Sequence, residues 1–113
     1  EIYDCLSECR DYGLRDQMRR SAVSIPSNIA EGYELSSDRA FIRHLYISKG
    51  STGELRTQLY IAIRQEYIAN EKGQALVSAT VSLSKMIQKF IRARKIRNGK
   101  AFLKRTILFF LYV

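Results

Sequence analysis

Apolar residues recur along this chain at steps of three and four, the period at which one face of an α-helix returns. One stripe reads Leu14, Met18, Ala22, Ile25 and Ile29. A second reads Phe41, Leu45, Ser48, Thr52, Leu55, Leu59 and Ala62. A third reads Leu76, Thr80, Leu83, Ile87 and Phe90, with Val77, Ser84 and Ile91 alongside. A shorter stripe of Ile2, Cys5, Leu6 and Cys9 opens the chain. These stripes predict helices over residues 1–10, 14–32, 38–67 and 70–98. Connections this short make successive helices antiparallel neighbours. The expected fold is therefore all-α, an antiparallel up-down four-helix bundle over residues 1–99 with a tail at 100–113.

The residues between the stripes supply starts and stops. Gly13 suits a C-terminal cap for the first helix, and Gly32 to Ser36 reads as a loop. Ser36 or Ser37 can cap the next helix, whose first turn carries Asp38 at the positive end of its dipole. Asn70 can cap the last helix, and Asn98-Gly99 reads as its stop.

Two places resist this pattern. Pro26 lies inside a helical stripe, where it cannot donate its N–H. The helix there should kink, or end and restart, leaving a carbonyl near Ala22 unpaired. Ser27 and Asn28 are suited to satisfying such freed groups. In the third predicted helix, Gly50 and Gly53 each cost about 1 kcal/mol relative to Ala. Close approach of a neighbouring helix would offset that cost; a ligand against the bare backbone is the alternative.

The run Gln17-Met18-Arg19-Arg20-Ser21-Ala22-Val23, continuing through Ser24-Ile25-Pro26-Ser27-Asn28-Ile29-Ala30-Glu31-Gly32, closely resembles a bacterial family. Its members are four-helix-bundle proteins encoded by 23S ribosomal RNA intervening sequences, and they also carry an older ribosomal-protein name. Phe41 to Ser51 and Glu54 to Leu59 resemble that family's third helix. The resemblance spans residues 3–95 and stops short of the tail. It implies the same bundle and a cytoplasmic homo-oligomer, with a ring of five as the expected form. It also implies that the first helix here is shortened, because the family's begins some turns earlier. RNA or the ribosome is the implied partner. A similar fold serves as an accessory subunit of phage-type reverse transcriptases, which keeps a protein-interaction scaffold without direct RNA readout as the alternative.

Pro26, Asn28, Glu31 and Gly32 stand in the signature of the resemblance. Asn28 and Glu31 neighbour each other on one helical face. They can grip a ligand or RNA, or satisfy the backbone around Pro26 together with Arg19 or Arg20. Buried polar groups must be paired, which favours the structural role.

Charge narrows the partner. The formal net charge is +8 and the pI is near 9.8, a balance that suits nucleic acid. Residues 1–71 hold nine Lys/Arg against eleven Asp/Glu, while residues 72–113 hold ten Lys/Arg and no acid. The stronger basic candidate is therefore the last helix, with Lys89, Arg92, Arg94, Lys95 and Arg97 beside Lys85. Arg15, Arg19 and Arg20 form a first cluster, able to meet phosphates or to pair with Asp16.

Catalytic chemistry finds little support. His44 is the one histidine, and no Gly-rich phosphate loop, nucleophile elbow or paired-carboxylate metal motif is present. Glu54 and Gln58 share a helical face without defining a reaction. Cys5, Cys9 and His44 fall short of the roughly four ligands that structural zinc requires. The cysteines read as small core residues in a reducing compartment, with no metal or cofactor expected. The N-terminus is acidic and has no apolar leader run.

The tail has its own character. Thr106 to Val113 carries no charge and is too short for a span of about 20 residues. It is expected to be buried against the bundle or in an oligomer interface. A surface anchor with Lys104 and Arg105 on lipid phosphates is the lesser reading.

Overall fold

A computed structural model describes the backbone of Ile2, Leu6 and residues 9–112, with side chains through Lys100 and at Lys104, Ile107 and Leu108. Helix α1 spans Tyr12–Glu34, α2 spans Asp38–Arg64 and α3 spans Asn70–Tyr112, with no strand among the described residues. The helix expected over residues 1–10 falls mostly outside the described residues. Within it Ile2 and Leu6 are helical, and Leu6 is fully buried. The fold shown is thus all-helical with three described helices.

Local chemistry moves several expected boundaries. Gly13 does not cap a preceding helix; it lies in the first turn of α1. Asp11 starts that helix, its carboxylate accepting from the Leu14 N–H at 3.0 Å. At the other end α1 continues past Gly32 to Glu34, so the loop contracts to residues 35–37. Ser36 takes φ 58° there. Ser37 then caps α2 by accepting from Ala40 N–H at 3.0 Å, with Asp38 in the first turn.

Helix α2 is the central element, and both α1 and α3 pack against it. Ser51 and His44 of α2 meet Ser24 and Asn28 of α1, while Lys49 and Asp38 meet Gln88 and Arg94 of α3. Both pairings run antiparallel. Every residue of the α2 stripe is buried, and Met18, Ile25, Val77, Ile87 and Ile91 close on it from the two sides. Ser48 and Thr52 stay buried because their hydroxyls donate to the Ile25 and Ser48 carbonyls, both at 2.9 Å.

Of the two outcomes expected at Pro26, the helix does not end and restart: α1 is continuous through it. The ring lies on the exposed side of the helix, and polar side chains engage the carbonyls just before it. Asn28 Nδ2 donates to the Ser24 carbonyl at 2.8 Å, and Ser48 supplies Ile25. Gly50 and Gly53 also differ from expectation. A Cβ at either would meet nothing within 4 Å, whereas at Gly32 it would lie 2.7 Å from His44 Cβ. Gly32 is where α1 and α2 approach.

The largest correction concerns α3. Asn98-Gly99 does not stop it, and the helix continues over 43 residues to Tyr112. At 1.5 Å per residue such a helix is about 65 Å long, which accounts for the 67 Å long axis of the molecule. No glycine adopts positive φ, so Gly99 makes no left-handed cap. Among the described side chains of the tail, Lys104, Ile107 and Leu108 are exposed, the last two at 58% and 42%.

Candidate nucleic-acid interface

The basic residues separate by the faces that helical geometry assigns them. Lys85, Lys89 and Arg92 lie on the outer side of α3 and are exposed. None of the three pairs with an acid among the described residues. Lys95 is also exposed but leans on α2, with Nζ donating to Tyr46 Oη at 2.7 Å and lying 5.0 Å from the ring centre.

Arg94 and Arg97 turn toward the start of α2. Arg94 Nη1 lies 3.1 Å from Asp38 Oδ1 and Arg97 Nε lies 3.2 Å from Oδ2. Arg94 also stacks 4.8 Å above the Phe41 ring. One carboxylate thus neutralises part of the cluster that has no acid within its own segment. The pair borders a cleft of about 320 Å³ that includes Tyr33, Ser37 and Phe41.

The first basic cluster is not brought onto that face. It belongs to α1, which packs on α2 separately from α3. Arg15 lies over the Tyr12 ring at 4.5 Å. The Nε atoms of Arg15 and Arg19 are buried without a partner among the described residues. Arg20 is exposed and opens into a polar cleft of about 420 Å³ with Glu54 and Gln58. Sequence spacing had placed these last two on one face; the facing Arg20 comes from a different helix.

Of the signature residues, Asn28, Glu31 and Gly32 meet α2, while Pro26 lies on the exposed side of α1. Asn28 donates to the Ser24 carbonyl and hydroxyl, and its Oδ1 lies 3.0 Å from His44 Nδ1. Ser24 Oγ meets Ser51 Oγ at 2.8 Å. Glu31 is exposed, with Oε2 3.9 Å from His44 Nδ1. Neither Arg19 nor Arg20 joins this network. Cys9 is a buried free thiol donating to the Asp11 carbonyl at 3.6 Å; Cys5 lies outside the described residues.

Sequence reasoning missed Asp38 as a clamp and Arg56 as a cross-helix donor. Arg56 bonds Thr80 Oγ1, the Thr80 carbonyl and Ser84 Oγ at 3.0–3.2 Å. The signal lay in the stripe itself, since Thr80 and Ser84 stand at inward positions and need partners.

The family described as 23S rRNA-intervening sequence protein matches residues 1–89. The chain belongs to this family. A crystal structure from Bacteroides thetaiotaomicron VPI-5482, a protein of unknown function from the S23 ribosomal protein family, is 26% identical. It superposes with a TM-score of 0.72, covering 80% of this chain and 87% of the other. No curated protein matches. Neither the family's description nor that of this solved structure names an enzyme. The match ends at residue 89, so Lys85 and Lys89 fall inside it, while Arg92, Arg94, Lys95, Arg97 and the whole tail lie beyond it. Among the described residues, no helix is long and apolar enough to cross a membrane.

Proposed function

We propose that this protein is a non-enzymatic, cytoplasmic RNA-binding member of its family, acting on ribosomal RNA or the ribosome through phosphate contacts. The observation that carries the reading is the outer side of α3, where Lys85, Lys89 and Arg92 are exposed on a segment that contains no acid. Such a face neutralises backbone phosphates with little base readout. Arg15, Arg19 and Arg20 form a second, separate contact region. Arg94, Lys95 and Arg97 join the first region as partly engaged groups. Homo-oligomeric assembly, as a ring of five by family resemblance, would repeat each face and turn weak contacts into avidity.

The test is a fluorescence titration of a structured ribosomal RNA fragment at several salt concentrations. Affinity should fall steeply with salt, and Lys89→Ala or Arg92→Ala should each reduce the log–log slope by about one. No binding at low salt sinks the reading. The scaffold alternative has an observation of its own in the exposed apolar side chains of the projecting helix, Ile107 and Leu108.

A further inference from the structure

A buried carbonyl with no donor marks the seam between α1 and α2. Gln58 is 9% exposed, and its Oε1 is buried with no hydrogen-bond partner among the described residues. Such a group costs free energy unless something donates to it. Gln58 lines the polar cleft of about 420 Å³ into which Arg20 opens, and the described lining comes from α1 and α2 alone. Ser21, Ser51 and Gln58 are buried and form its floor, while Arg20 and Glu54 are exposed and form its rim.

The floor also has a hydrogen to give. Ser24 Oγ and Ser51 Oγ share one bond of 2.8 Å, and Asn28 Nδ2 donates to Ser24 Oγ at 3.0 Å. Two serines carry two hydroxyl hydrogens, so one stays free to donate whichever way the pair is turned. At the rim, neither Arg20 nor Glu54 has an ion-pair partner among the described residues.

Along α2 the order at residues 51, 54 and 58 is therefore hydroxyl donor, carboxylate acceptor, amide acceptor. Long helical side chains lean toward the helix N-terminus, which brings Glu54 and Gln58 back toward Ser51. A single planar group can then meet all three. The central position requires a donor, which excludes adenine and cytosine in either orientation, because each has an unprotonated ring nitrogen there. The Gln58 position requires another, which excludes uracil. Guanine alone reads acceptor, donor, donor, through O6, N1–H and the N2 amine.

We infer that the α1–α2 cleft takes one guanine nucleotide, its N1–H and N2 amine donating to Glu54 and Gln58 and its phosphate held by Arg20. This chemistry is shared by a free guanine nucleotide and by an unpaired guanine in an RNA strand. The second source rests on the RNA reading above and gives the α1 contact region one base that it reads.

The test is a chemical-shift titration of the full isotope-labelled chain with guanosine monophosphate and its analogues. The amides around Ser24, Ser51 and Gln58 should shift. Inosine monophosphate, which lacks only the N2 amine, should bind about tenfold more weakly, and the other three nucleotides should not compete. Gln58→Leu removes the unpaired carbonyl, so it should keep or raise the melting temperature while weakening guanosine monophosphate about tenfold. Arg20→Ala should weaken the nucleotide and leave guanosine unchanged, a split that loosened packing cannot produce. Equal binding of the guanosine and inosine nucleotides, or no binding of either at millimolar concentration, overturns the site, and water alone then meets Gln58. Replacing unpaired guanines by inosine in a bound RNA strand separates the sources. A loss of affinity that Gln58→Leu abolishes assigns the cleft to RNA. Selective binding of the free nucleotide with no RNA binding at low salt keeps the site and sinks the RNA reading. RNA binding indifferent to inosine, with no mononucleotide bound, overturns the site and keeps the phosphate reading.

Discussion

A Cβ added to Gly32 would lie 2.7 Å from His44 Cβ and 3.3 Å from the Phe41 Cα, and backbone at that distance cannot move aside cheaply. A Cβ on Gly50 meets nothing within 4 Å. The two helical glycines therefore respond oppositely to the same change. Gly32→Ala forces α1 and α2 apart and should destabilise by about 1–3 kcal/mol. Gly50→Ala relieves a helix-interior penalty and should stabilise by up to about 1 kcal/mol. Urea unfolding of both variants checks the contrast, and a loss of stability at Gly50 would mean that another surface presses on it. Sequence alone reversed these roles. Gly32 stood at a helix end and read as loop, while Gly50 and Gly53 sat mid-helix among small residues and read as a contact. Spacing reveals which face a glycine occupies, but not whether a neighbour has reached it.

The elements show a similar division between what pattern carries and what competing terms decide. All seven positions of the α2 stripe are buried, because a heptad stripe encodes burial directly. Helix ends depend on smaller balances. Asn98-Gly99 costs about 1–2 kcal/mol in a helix, yet Ala101, Leu103, Lys104 and Arg105 are strong helix formers that carry α3 onward. Pro26 is the corresponding case in α1, where flanking helix and seam bonds keep the element whole. Pro26→Ala restores a donor for the Ala22 carbonyl and should stabilise by about 1–3 kcal/mol. Asn28→Ala removes the bonds to Ser24 and His44 and should destabilise by about 1–2 kcal/mol. Thermal melts report both signs. A destabilising Pro26→Ala would show that the ring's own packing outweighs the missing hydrogen bond.

For the whole molecule, net charge suits a nucleic-acid partner, but the structure determines which cations are available to one. The charge split along the chain was legible, and so was the outer position of Lys89 and Arg92. The tie between Arg94, Arg97 and Asp38 was not, because it joins positions far apart in sequence at the start of α2. Asp38 separates stability from binding. Asp38→Asn removes both ion pairs and a favourable charge at the α2 N-terminus, which should cost about 1 kcal/mol in a melt. The same change releases two guanidinium groups beside the face that carries Lys89 and Arg92. If that face meets phosphates, RNA affinity at low salt should rise, and the log–log salt slope should steepen by up to about two, one for each released cation. The variant is then less stable and binds more tightly, a combination that general unfolding cannot produce. Weaker binding with an unchanged fold would instead mean that Asp38 holds Arg94 and Arg97 in the geometry RNA requires. The contact region would then move from the outer side of α3 to the cleft beside Tyr33 and Phe41.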